Sequence, residues 1–219
     1  MSVAIDGPAG AGKSTIAREV AKRLGYVYVD TGAMYRAIGL FVLENNIDIN
    51  DSDVIVSRLD EVNVELGHVD GVQHIYLNGR DVSDDIRSTE VGMAASRVSA
   101  VPQVRTFLLD LQRNIAKTKD VVMDGRDIGT VILPDAKVKI FLTASAEERA
   151  RRRYEEYMQK GDDISFEKVL ATMKKRDYDD STRAASPLKQ ADDAVLVDTT
   201  GKKLKDSINI IFDLIKELI

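Results

Sequence analysis

Two rhythms of apolar residues run along this chain. Residues 2–5 form a short, nearly continuous apolar run of the kind a buried strand shows, and beyond a glycine-rich interval Ile16, Val20 and Leu24 return at four-residue spacing, one face of a helix. Gly25 stands where that helix needs a left-handed C-cap. Residues 26–30 read as a second strand, and a helix opening at residues 31–36 carries Met34, Ile38, Phe41 and Val42 on its apolar face until Asn45 and Asn46 break it. The rhythm then changes. A short polar helix is expected over 51–60, followed by strand-like runs in which Val62, Val64 and Leu66 alternate, Asp70-Gly71 turns, residues 73–77 run back and Asn78-Gly79 turns again.

Helical periodicity returns over 89–99 and, after Pro102, in a stripe of Val104, Phe107, Leu108, Leu111 and Ile115. Residues 121–124 and 138–143 read as strands, with Ser145 and Glu148 forming a capping box for the helix that follows. Gly161-Asp162-Asp163 interrupts before Phe166, Val169, Leu170 and Met173 mark another helix face, continued by Arg176, Asp180 and Arg183. An i,i+4 pair between Arg176 and Asp180 reads on spacing as surface support. Residues 194–197 give a last strand and 204–219 an amphipathic closing helix. This order predicts an α/β fold, a parallel sheet of five strands wrapped by helices, with an antiparallel β insertion in its middle.

Composition narrows the class. The 219 residues, 44% hydrophobic, suit one globular domain with small appendages. Without cysteine there is neither a disulfide framework nor a thiolate metal site. His68 and His74 have no partners at metal-ligand spacing. No apolar run approaches the roughly 18 residues of a membrane span, and the N-terminus does not read as a signal peptide. A cytoplasmic protein without a membrane partner is expected. A formal charge of −5 argues against polymeric nucleic acid as a partner, so the arginines must act locally.

The glycine-rich interval supplies the chemistry. Gly7-Pro8-Ala9-Gly10-Ala11-Gly12-Lys13-Ser14, followed by Thr15, is a complete G-x-x-x-x-G-K-S phosphate loop between a strand and a helix. Its glycines let several backbone N–H groups converge on one anion, Lys13 would reach the outer phosphates, and Ser14 would offer a hydroxyl to Mg²⁺. Nucleotide binding, with ATP and Mg²⁺, is the expectation. Asp30, Thr31 and Arg36 fall where a strand gives way to a helix, as do Asp124, Arg126 and Asp127, and in open α/β sheets such ends face the ligand crevice. Asp124 also resembles a Walker B aspartate, a second candidate for Mg²⁺. Thr31 reads on its own as a helix N-cap and Arg36 as a surface residue. Arg149, Arg151, Arg152 and Arg153 repel one another on one helix unless they face anions or the glutamates at 147, 148, 155 and 156.

Taken together, residues 7–15, 30–36, 95–98, 102–105, 124–130 and 176–183 resemble the bacterial (type 1) cytidylate kinases, nucleoside monophosphate kinases with an adenylate-kinase-like P-loop fold. The likeness runs nearly end to end. It implies one kinase domain with a core of about 1–30, 106–145 and 185–219, a monophosphate-binding part with the insertion at about 31–105, and a small helical lid at about 146–165. It also implies ATP as donor and CMP and dCMP as acceptors; a monomer is expected. Thr31, Arg36 and Arg126 would engage the acceptor's sugar and phosphate beside Asp30, and Ser96, Arg105 and Asp127 would read cytosine. Arg176, Asp180 and Arg183 would hold the ribose and the transferring phosphate, while Arg149, Arg152 and Arg153 would belong to the lid over ATP. The family often shows serine where this chain has Thr31. Another P-loop small-molecule phosphotransferase stands as the alternative, and a nucleotide-dependent switch as a more distant one, disfavoured by the lack of an Asn-Lys-x-Asp run and by the surplus of arginines.

Overall fold

The structure is a computed structural model that describes residues 1–69 and 71–219, the side chain of Lys160 excepted. Five strands form a parallel sheet in the order β2-β6-β1-β7-β8: β1 (Ser2–Asp6), β2 (Val27–Asp30), β6 (Val121–Gly125), β7 (Val138–Thr143) and β8 (Val195–Asp198). The central strands β1 and β6 are buried over almost their whole length, which is why they read as apolar runs without alternation. A second sheet, antiparallel in the order β3-β4-β5, comprises β3 (Val64–Val69), β4 (Val72–Leu77) and β5 (Arg80–Asp81). Of the Asp70-Gly71 turn expected between β3 and β4, Asp70 lies outside the described residues and Gly71 has φ 78°.

The chain divides into two compact units. One holds residues 1–28 and 119–219, the other residues 29–118. In the first, Val3, Ile5, Ile140 and Leu142 of the sheet pack against Ile16 and Val20 of α1 (Lys13–Leu24) and Ile211 and Ile215 of α8 (Leu204–Leu218). A smaller cluster joins α6 (Ala146–Lys160) to α7 (Phe166–Thr182) through Ala150, Val169 and Met173. In the second unit α2 (Thr31–Glu44) packs along α4 (Thr89–Val98) and against β4, while α3 (Ser52–Ser57) and α5 (Pro102–Thr118) complete it.

Several local readings change. The expected polar helix over 51–60 is α3 followed by a separate 3₁₀ turn, Leu59–Glu61. In α5 the buried positions are Val104, Arg105, Leu108 and Gln112, and Phe107 is exposed, so the buried face is turned toward a polar pair that an apolar stripe does not contain. The capping box at α6 forms only in part. Ser145 Oγ accepts the Glu148 N–H at 3.2 Å, but the Ser145 N–H goes to Thr200 Oγ1 at 2.9 Å, and the Glu148 carboxylate pairs instead with Arg152. The helix N-cap ahead of α2 is Asp30 rather than Thr31, with Asp30 Oδ1 accepting the Ala33 N–H at 3.2 Å. A π-helical stretch, Ile128–Ile132, follows β6 where no element was read.

The end of β1 is closely built. Gly7 has φ 149°, and a Cβ there would lie 2.0 Å from the Leu142 carbonyl oxygen of β7. Gly25 is also left-handed, at φ 72°, but a Cβ there meets nothing within 4 Å. Gly7→Ala is therefore expected to cost roughly 3 kcal/mol, since backbone must move, against about 1 kcal/mol for Gly25→Ala, where only the conformation is penalised. Urea unfolding of the two variants beside wild type checks the order, and equal midpoints would contradict it.

Candidate active site

In the first unit the site begins where β1 ends. Gly10 and Gly12 take φ 74° and 86°, turning the loop so that α1 starts at Lys13. Gly12 caps α1 without any side-chain hydrogen bond, and the first turn holds no acidic residue. By contrast, Asp30, Asp51, Ser88, Ser145 and Ser165 cap α2, α3, α4, α6 and α7 with their side chains. The N–H groups and positive dipole end of α1 thus meet no side-chain cap, as at the start of α8, and are of the kind that suits an anion.

Lys13 is buried, and its Nζ donates to the Pro8 carbonyl at 2.8 Å. Burial and the nearby Arg126 charge push the ammonium down to about 7, with Asp124 and Asp6 opposing and Arg176 adding to the fall. Ser14 Oγ donates to Asp124 Oδ2 at 2.9 Å, which joins the phosphate loop to the carboxyl end of β6. The other oxygen of Asp124 accepts the Tyr28 hydroxyl at 2.9 Å. Tyr28 was not legible as a site residue, because its place in an alternating strand says only that it faces one side of a sheet.

Asp6, the last residue of β1, is a site residue that the sequence analysis does not single out. Its carboxylate accepts the backbone N–H groups of Ile128 at 2.8 Å and Gly129 at 2.7 Å, tying the end of β1 to the stretch after Arg126 and Asp127. Burial raises its pKa to about 6, against the lowering effect of those two hydrogen bonds. An acid ending an otherwise apolar buried strand was the available signal.

Asp180 sits in a group of arginines. Arg126 Nε donates to Asp180 Oδ2 at 2.9 Å, and Arg183 Nη1 is 3.7 Å from Asp180 Oδ1. Burial alone would raise the Asp180 carboxyl, but Arg126, Arg176 and Arg183 together outweigh it and hold it below the usual range. Asp180 is therefore a buried centre, not the surface partner that i,i+4 spacing suggests. Arg183 also lies 3.9 Å from Asp127, which is buried, and donates from Nε to the Ser186 carbonyl at 2.8 Å.

The four arginines at the start of α6 separate. Arg149 is buried and fully engaged: Nε to the Ala144 carbonyl at 2.8 Å, Nη1 to the Ala9 carbonyl at 2.9 Å and Nη2 to Asp177 at 2.7 Å. Arg152 reaches Glu148 and the Thr199 carbonyl, and its Nη1 is 3.9 Å from where a Gly12 Cβ would stand. Arg153 pairs with Glu156 at 2.7 Å over the Tyr157 ring, and Arg151 is exposed.

The remaining candidates lie in the second unit. Thr31 is buried in the first turn of α2, and Arg36, one turn on, donates to the Ile86 carbonyl at 3.0 Å. Asp30 donates its N–H to Gln73 Oε1 at 2.8 Å, a tie to β4 that the sequence pattern did not show. Arg105 is buried 5.3 Å over the Tyr35 ring and donates to the Ser99 carbonyl at 3.0 Å, and Ser96 is half-buried on α4.

Comparison with known proteins adds the lineage. A family model described as cytidylate kinase matches residues 3–217. A cytidylate kinase of Carboxydothermus hydrogenoformans is 51% identical over 98% of this chain and 97% of its own length. One of Fusobacterium nucleatum is 51% identical over 95% and 94%. The crystal structure of an uncharacterized protein from Eubacterium ventriosum shares the fold, with TM-score 0.56 at 12% identity over 99% of this chain and 98% of that one.

The lowered Lys13 pKa has a measurable consequence. A base depressed to about 7 is mostly neutral in the unliganded protein at pH 8, and anionic phosphates beside it favour the charged form. ATP binding at pH 8 should then take up a proton, and ATP affinity should fall as pH rises from about 7 toward 9. Calorimetric titrations at pH 8 in two buffers of different ionisation enthalpy check the uptake. Identical observed heats would show that Lys13 is already charged.

Proposed function

The chain belongs to the cytidylate kinase family, and from that premise we propose how its residues divide the work of moving the γ-phosphoryl group of ATP to CMP, yielding ADP and CDP. The observation that carries the donor half is the uncapped, glycine-turned N-terminus of α1 with a buried ammonium beside it. Gly7, Pro8, Ala9, Gly10, Ala11, Gly12, Lys13, Ser14 and Thr15 would cradle the triphosphate, with Lys13 aimed at the transferring group. Ser14 Oγ and the Asp124 carboxylate are hard oxygen donors 2.9 Å apart, which suits Mg²⁺. Among the described residues there is no cluster of three or more His, Cys, Asp or Glu that could hold a metal alone, so the ion would arrive with the nucleotide. Bound there, Mg²⁺ would neutralise charge on the phosphate oxygens.

Phosphoryl transfer needs in-line positioning and neutralised charge more than covalent help. The attacking oxygen of CMP is already an ionised phosphate oxygen, so no general base is assigned. Arg126, Arg176 and Arg183 would bear on the equatorial oxygens, with Arg126 and Arg183 held by ion pairs to Asp180. Arg152 and Arg153 would close from the lid, about residues 146–165, and exclude the water that otherwise hydrolyses ATP. Thr31 and Arg36, beside Asp30, would engage the acceptor's sugar and phosphate, with Asp180 and Arg183 on the ribose. dCMP is the second acceptor in this reading. Ser96, Arg105 and Asp127 would read the base, since cytosine offers an amino donor beside two acceptors and calls for a carboxylate and a forked donor.

We also take the enzyme to act as a cytoplasmic monomer on free nucleotides. No helix among the described residues is long and apolar enough to cross a membrane, and the acidic net charge disfavours polymeric nucleic acid.

Steady-state ADP release with CMP, dCMP, UMP and AMP tests the reading. CMP and dCMP should be the best acceptors. Asp127→Ala should erode the preference for CMP over UMP, which in pockets built to pair a specific polar group can reach about 10⁴, while the ATP KM stays within about twofold. A wild type that prefers UMP or AMP, or a CMP/UMP ratio unmoved by Asp127→Ala, would contradict it.

A further inference from the structure

Arg149 sits among the arginines expected to grip ATP from the lid, yet its surroundings describe another task. Each guanidinium nitrogen is engaged by protein: Nε by the Ala144 carbonyl, two residues ahead of α6, Nη1 by the phosphate-loop carbonyl of Ala9, and Nη2 by Asp177 on α7. The Arg149 side chain is 6% exposed and that of Asp177 22%, so the ion pair is largely shielded from solvent screening. A planar fork with three fixed acceptors holds direction as well as distance.

The packing around it is equally tight. Gly10, next to Ala9, lies so close that a Cβ would stand 2.6 Å from Met173 Cε of α7 and 3.2 Å from Arg149 Cβ. Arg149 therefore fills the space between the phosphate loop and α7 and fastens each to the other. Asp177 adjoins Arg176 and stands one helical turn from Asp180, which meets Arg126 at 2.9 Å.

We propose that Arg149 is a positioning residue and not a phosphate ligand: with Asp177 it braces Ala9 of the phosphate loop to α7, so that the donor cradle and the arginines around Asp180 are set as one rigid piece. Asp177, to which no role was assigned, is the second half of the brace. The inference rests on the phosphotransfer reading above for its kinetic consequences, and on the geometry alone for its mechanical one. A cut brace leaves Lys13 and Arg176 present but misaligned, and in-line transfer is sensitive to displacements of an ångström.

The test compares full-length wild type, Arg149→Lys, Asp177→Ala, their double variant and Asp177→Asn, which keeps an oxygen for Arg149. Urea unfolding of each serves as the folding control. Arg149→Lys and Asp177→Ala should each lower kcat with CMP about tenfold to a hundredfold, the double variant should be no slower than the worse single one, and Asp177→Asn should recover most of the loss. In unliganded protein, amides of residues 9–12 should exchange about tenfold faster in Asp177→Ala than in wild type. If Asp177→Ala does not fold, the comparison of Asp177→Asn with Arg149→Lys decides, the former being the faster enzyme. An Asp177→Ala enzyme with unchanged kcat and unchanged loop exchange, or losses that multiply in the double variant, would overturn the brace. A wild type inactive toward CMP would instead contradict the phosphotransfer reading, and the exchange measurement would still judge the brace.

Discussion

Lys13 carries its ammonium to a place water scarcely reaches. With 5% of its surface exposed and its hydrogen bond made to a neutral carbonyl, the group gains far less than it would from a carboxylate partner. Asp6 and Asp124 lie near enough to favour its charge, while Arg126 and Arg176 disfavour it, and the balance leaves it depressed. Such an arrangement is poor for a resting protein and well suited to one that receives phosphate. An incoming anion restores the charge and satisfies the uncapped start of α1 in the same event. The glycines that make the loop are required by this design, since only a chain lacking Cβ atoms can run against the β7 backbone as Gly7 does.

The carboxylates of the first unit can be understood as supports for that one constraint. Asp124 takes Ser14 and Tyr28, Asp6 takes two backbone N–H groups beyond β6, Asp180 gathers three arginines, and Asp177 holds Arg149. Each connects segments far apart in sequence, so the cationic groups keep fixed positions before any substrate arrives. Preorganised charge of this kind does not reorganise at the moment of transfer, the condition under which electrostatic catalysis is largest.

How far this was legible depends on the range of the interaction. The phosphate loop reads directly because eight consecutive positions and both flanking elements carry it, and β1, β6 and β7 read from their apolar runs because they are buried strands of a parallel sheet. Periodicity sees only partners on the same element. It therefore offers Arg176 to Asp180, although Arg126, 54 residues away, makes the short bond. For the same reason it offers Glu148 to Ser145, although Thr200 takes the N–H. Arg149 resembles its neighbours in sequence, and only the arrival of Ala9 and Asp177 distinguishes it. The insertion reads as antiparallel from its turns, but the bond from Asp30 to Gln73 needs the fold of the second unit to exist.

The central claim is that a buried, prepositioned amino group at Lys13, whose charge an incoming phosphate restores, serves phosphoryl transfer and not folding. Lys13→Met, assayed for ATP-dependent CMP phosphorylation and for urea unfolding, addresses it most directly. Turnover should fall by about 10² to 10³, as when one preorganised group is lost, while the unfolding midpoint stays level or rises because a charge has left a dry site. A folded Lys13→Met protein that turns over at the wild-type rate, or one whose stability collapses, would contradict the account.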